Sequence, residues 1–199
     1  MHKRLIVFTF FLISTFIVSA QVINVKVNYI SGDAKDNSII SYYPGKRLTW
    51  PDFQGTPNDN VSSAITSSGI GYHFNLNRTE DSAWFTFTVN CTFSKEKSWV
   101  LADKKTDYIL RHEQNHFDIS YINALLFIEK LRNLSLSVKN YKSEIATVYR
   151  ESSKELNKMQ NDYDTETKNG QDKIKQDEWN KKIASKLASL QSSVIEAAR

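Results

Sequence analysis

The sequence predicts an α+β fold, an N-terminal antiparallel sheet followed by three helices. Apolar and polar residues alternate at period two before about residue 100. Beyond about residue 104 the apolar side chains recur at spacings of three and four. The turn formers gather in the first half, as Pro44-Gly45, Pro51 and the loop 55–60. With 40% hydrophobic residues and 11 Phe, 9 Tyr and 4 Trp in 199 residues, the chain can bury a core. Six Gly and three Pro exclude collagen-like and linker classes, and the single Cys91 excludes a disulfide scaffold.

The elements follow in order. Residues 1–20 read as a signal peptide: Lys3 and Arg4 precede an apolar run over 5–18, and Val18-Ser19-Ala20 supplies small residues for cleavage. That run falls short of the roughly twenty residues of a membrane anchor, so a secreted or periplasmic product beginning at Gln21, with no stable membrane anchor, is expected. Without this leader the net charge of +4 falls to +2, and the remaining lysines alternate with acids, a solvated surface rather than a nucleic-acid patch. Residues 21–199 form one expected domain, with the sheet over about 22–100.

Strands are expected at 22–29 and 39–43, with a longer pair at 65–76 and 83–93. In the last of these Phe85, Phe87, Val89, Cys91 and Phe93 share one face, opposite Thr86, Thr88, Asn90 and Thr92. Cys91 therefore reads as a small buried apolar residue. Helices are expected over about 104–134, 138–162 and 172–197. Val138, Tyr141, Ile145, Val148, Leu156, Met159 and Tyr163 stripe the second, and Trp179, Ile183, Leu187, Leu190 and Val194 the third. Asn169-Gly170 marks the turn between them.

The chemistry lies in His112-Glu113-Gln114-Asn115-His116, an HExxH pattern inside the first expected helix. Residues four apart on a helix lie roughly 40° apart about its axis, so both imidazoles can reach one zinc ion. Glu113 between them can act as general base on a zinc-activated water, whose hydroxide attacks an amide carbonyl. Such a helix, following a sheet, is zincin-like. The spacing supplies no third ligand: Ile119 and Ile122 stand where the longer HExxHxxGxxH form has Gly and His. Asp118 lies on the wrong helical face. The candidates are the acids of residues 162–166 and the strand residue His73.

The stretch from Leu110 to Ile119, L-R-HEQ-N-HFDI, resembles the L-x-HEQ-x-HFDI segment of the domain-of-unknown-function 922 family. Leu48-Thr49-Trp50-Pro51-Asp52-Phe53-Gln54-Gly55 is similar to the family's LxWxDFxG segment, and Ala64 to Ile70 and Ser98-Trp99-Val100 follow in order. Tyr163-Asp164-Thr165-Glu166-Thr167, Gly170, Gln176 and Trp179 resemble its closing YDxxTxHG…Q..W segment. The resemblance implies an exported bacterial zinc-dependent protease acting on peptides or proteins. It departs at Asn169, where the pattern has histidine. If that histidine is the third ligand, this chain lacks it; if Asp164 is, the set is intact. Asp164 is preferred, since a carboxylate completes a His₂-acid set, with His73, Glu166 and the Asn169 region as alternatives. Two other readings stand beside the peptidase: a non-catalytic envelope or binding protein of the same fold, and a metal-dependent hydrolase of a non-peptide substrate.

Overall fold

The computed structural model describes residues 22–31, 36–58 and 62–196, with side chains to residue 192. The leader expected over 1–20, the start at Gln21, the end of the 55–60 loop and the Val194 side chain lie outside the described residues. The fold is α+β. Six strands come first: β1 (Val22–Tyr29), β2 (Ile39–Ser41), β3 (Ala64–Ile65), β4 (Ser68–Arg78), β5 (Ser82–Ser94) and β6 (Trp99–Val100). Three helices follow: α1 (Asp107–Arg132), α2 (Tyr141–Thr167) and α3 (Lys173–Glu196). Short 3₁₀ turns occupy Trp50–Asp52 and Ala102–Lys104.

β5 is the spine of the sheet because its alternation never lapses. Ala83, Phe85, Phe87, Val89, Cys91 and Phe93 are all at most 1% exposed, while Trp84 on the other face is 42% exposed. Burial pushes the Cys91 thiol well up in pKa, as expected of an inert core residue. β4 runs antiparallel along one edge of β5. β1 and β2 share the other edge, β2 antiparallel and β1 parallel, with Val22 opposite Ser82 and Tyr29 opposite Val89.

The sheet is therefore mixed, which corrects the expectation of a purely antiparallel one. β1 has no hairpin partner near it in sequence, and its partner lies far along the chain, so no turn dictates its direction. The strand expected over 65–76 is also broken. Ala64–Ile65 pairs with Trp99–Val100 in a separate two-stranded ladder, and β4 starts afresh at Ser68. At the break, Thr66 Oγ1 donates to the Glu113 carbonyl (3.2 Å) and the Ser67 N–H to Ser98 Oγ (2.9 Å). Side chains take the chain off one ladder and aim it at α1.

α1 lies on the inner face of the sheet. It begins where Thr106 Oγ1 accepts the Ile109 N–H (3.2 Å), with Asp107 in its first turn and Lys130 and Arg132 in its last, both favourable to the helix dipole. Phe117 packs edge-on to Tyr42 and against Phe93, and Tyr42 stacks on Tyr121. α2 and α3 pack against α1, burying Ile145, Leu156 and Tyr163 from one and Trp179, Ile183 and Leu190 from the other. Among the described residues no helix is long and apolar enough to cross a membrane.

Candidate metal centre

The second and third turns of α1 are buried and polar at once. His112, Glu113, Gln114 and Asn115 are each at most 7% exposed. The imidazoles of His112 and His116 face each other, with their Nε2 atoms 3.2 Å apart. α2 brings Asp164 to the same point: Oδ1 lies 3.2 Å from His112 Nε2 and 3.0 Å from His116 Nε2. The structure thus gathers His112, His116 and Asp164 into one group able to hold a metal ion. Three donors at about 2.0–2.1 Å from a tetrahedral zinc stand about 3.3 Å from one another, close to the spacing here.

Hydrogen bonds orient both rings. His112 Nδ1 meets Gln176 Oε1 at 2.9 Å, and His116 Nδ1 meets Gln160 Oε1. The Gln160 amide nitrogen donates to the His116 carbonyl (2.9 Å) and to Ser120 Oγ (3.2 Å), which leaves its oxygen as the group facing the ring. Gln176 Nε2 donates to the Tyr163 hydroxyl (2.6 Å), and Tyr163 donates to the His112 carbonyl (3.3 Å). This network assigns the proton of each neutral ring to Nδ1 and its lone pair to Nε2. Two lone pairs and a carboxylate oxygen then converge, an arrangement that a proton or a metal cation between them relieves.

The electrostatics express the same demand. Burial pushes the Asp164 carboxyl up, but hydrogen bonds with both imidazoles hold it well below the usual carboxylate range. Burial pushes His116 down, yet Asp164, Glu113 and Gln160 together carry it above the ordinary histidine value. The donor set, two imidazoles and one carboxylate, fits zinc.

The group opens on a cleft of about 620 Å³. β3 and the residues flanking it line the cleft together with Tyr108, Ile109, Glu113 and the turn joining α2 to α3. Glu113 is 3% exposed, and its Oε2 has no hydrogen-bond partner among the described residues. An unpaired buried carboxylate oxygen costs about 1–3 kcal/mol or more, so its retention asks for a reason.

Residues 52–171 match a family model described as "Bacterial protein of unknown function (DUF922)". The chain belongs to the DUF922 family. Its matched stretch runs through β3, β4, β5, α1 and α2 and holds His112, Glu113, His116 and Asp164, while Gln176 lies beyond it. No curated protein and no solved structure matches the chain.

The other candidate ligands of this DUF922 member stand apart from the cluster. His73 is exposed on β4 and meets Asn75 (3.4 Å), and Glu166 accepts the Trp179 indole N–H (2.8 Å). Asn169 lines the cleft without joining the donor group. Asp118, on the far face of α1, accepts from the Tyr42 hydroxyl and the Gln114 amide, both at 2.9 Å. Sequence reasoning missed Gln160, and it named Gln176 only within the closing segment of the resemblance, with no role. A signal existed: Gln160 is four residues after Leu156, and Gln176 three before Trp179, so each is a polar residue in phase with an apolar stripe.

Proposed function

We propose that this DUF922 protein is an exported zinc-dependent peptidase. In this reading His112, His116 and Asp164 hold one zinc ion and Glu113 is the general base. The observation that carries it is the triangle of donor atoms, 3.0–3.2 Å on each side, on a cleft that the buried Glu113 also lines. Zinc in that triangle supplies Lewis acidity, acidifying water and polarising a carbonyl.

The chain's own residues do the rest. Gln160 and Gln176 hold the imidazoles in the Nδ1–H tautomer. Glu113 receives the proton of the attacking water on its carboxylate and passes it to the departing amine. β3 favours a peptide over other acyl substrates. Just before it the Ser63 carbonyl accepts the Leu101 N–H (2.9 Å), so by alternation the N–H and C=O of Ala64 turn away from β6. Ala64 and Thr66 line the cleft, where an extended peptide can add as a further strand.

Glu113→Gln tests the assignment. The variant is expected to keep its zinc and its melting temperature, and to lose chelator-sensitive peptide hydrolysis by about 10²–10⁴-fold. Unchanged turnover removes Glu113 as base. A zinc-loaded wild type inert on a broad peptide library instead supports the non-catalytic binding protein. Export rests on the basic start, the short apolar run and Val18-Ser19-Ala20. N-terminal sequencing of the released product is expected to begin at Gln21, and a membrane-bound product beginning at Met1 contradicts it.

A further inference from the structure

The cleft needs a group that meets the substrate carbonyl oxygen as charge builds on it, and most of its polar side chains are already committed. Thr66 Oγ1 donates to the Glu113 carbonyl, and the Tyr108 hydroxyl to the Gly170 carbonyl (2.6 Å). The Gln160 amide is held by His116 and Ser120. The exposed Asn169 lines the cleft and its side-chain amide has no hydrogen bond among the described residues; the Ser63 hydroxyl, also on the lining, shares that freedom. Gln171 and Lys173 also line the cleft, but both extend into a neighbouring surface depression that Asn169 does not reach.

The backbone at Asn169 is arranged around the metal ligands. Lys168, Asn169 and Gly170 are successive left-handed residues, with φ of 51°, 53° and 77°. Left-handed backbone is disfavoured for residues with a Cβ, and Asn tolerates it better than most. The Asn169 N–H donates to the Asp164 carbonyl (2.8 Å), which fixes the turn to the helical turn bearing that ligand. Gly170 sits so close to His112 that a Cβ there would stand 3.2 Å from Nδ1. One turn thus packs against one imidazole, is tied to the backbone carbonyl of the residue that bears the carboxylate, and places Asn169 on the lining of the same cleft.

We infer that Asn169 is a catalytic residue that donates its side-chain N–H to the oxyanion, an inference resting on the peptidase reading above. As the water oxygen bonds to the carbonyl carbon, the π pair moves onto the carbonyl oxygen and the water proton passes to Glu113. Asn169 Nδ2 donates to that oxygen, whose demand is larger in the tetrahedral state than in the substrate. Asn169 is not a metal ligand.

The test compares wild type with Asn169→Gly, which deletes the amide while keeping the left-handed backbone, and with Asn169→His, which restores an N–H donor. The probe is the tightest member of a phosphinic tripeptide library, a tetrahedral anionic mimic of the attacked amide. Wild type is expected to bind it. Asn169→Gly is expected to bind about 10²-fold more weakly, with kcat down by a similar factor, KM little changed and zinc content equal to wild type. Asn169→His is expected to recover part of both losses. Unchanged affinity and kcat in Asn169→Gly overturn the assignment while leaving the peptidase reading in place, and loss of zinc overturns it in favour of a ligand role. A wild type that neither binds the phosphinate nor cleaves peptides overturns both.

Discussion

From His112 to Asp118, α1 buries His112, Glu113, Gln114, Asn115 and Asp118, with Phe117 as the one large apolar side chain among them. From Ile119 to Leu131 it buries Ile119, Ile122, Leu125, Phe127, Ile128 and Leu131, with Ser120 and Asn123 as the polar exceptions. One helix, equally sequestered along both stretches, carries opposite chemistries. Each buried side chain of the apolar half contributes about 1.5–3 kcal/mol by leaving water. The polar half gains little of that and is tolerated only where partners are supplied. Gln114 accepts the Leu48 N–H (2.8 Å), and Asn115 donates to Asn180 (2.6 Å) and to the Tyr163 hydroxyl (3.2 Å). Where the supply stops, at Glu113 Oε2, the fold carries an uncompensated cost beside a cleft. Apolar burial is concentrated in one half of the helix and the polar cluster able to hold a metal in the other.

Substitutions can break that division. Phe127 is fully buried and packs edge-on to Tyr72 and Tyr149. Phe127→Ala is expected to cost about 3–5 kcal/mol in urea unfolding, through lost burial and the cavity left behind. The protein that remains folded should carry the same zinc per chain as wild type. Zinc loss in proportion to stability would show that the two halves are one unit.

A smaller effect is expected from the polar half. Gln160→Leu removes the oxygen that holds His116 Nδ1 while nearly keeping the volume. Zinc affinity, read by chelator competition, should fall about 10–100-fold, with less loss of stability than Phe127→Ala. Unchanged affinity would mean that packing on the Tyr163 ring, 5.0 Å away centroid to centroid, orients the imidazole by itself.

The difference between the halves also explains what was legible in the sequence. β5 was readable because period two is a local property: the alternation of Phe85, Phe87, Val89, Cys91 and Phe93 with polar neighbours needs no knowledge of the rest of the chain. His112 and His116 were readable for the same reason, since one helical turn sets their spacing. The direction of β1 was not, because its partner β5 is remote and no turn links them. Asp164 was one of several candidate acids over 162–166 until the family resemblance was considered, for no helical periodicity says which carboxylate of α2 meets α1. Gln160 and Gln176 were hidden differently. Their positions in the apolar stripes were visible, but a polar residue in such a stripe reads as an interruption until the helix it faces is known.

The central claim is that His112, His116 and Asp164 hold one metal ion together. It is tested most directly by the metal content of the purified protein, measured by mass spectrometry after dialysis against buffered zinc. Wild type is expected to retain about one zinc per chain, and His116→Ala, the His112→Ala/His116→Ala double variant and Asp164→Asn to lose it while remaining folded. Full occupancy in Asp164→Asn would contradict the third ligand, and equal zinc in wild type and the double variant would contradict the site.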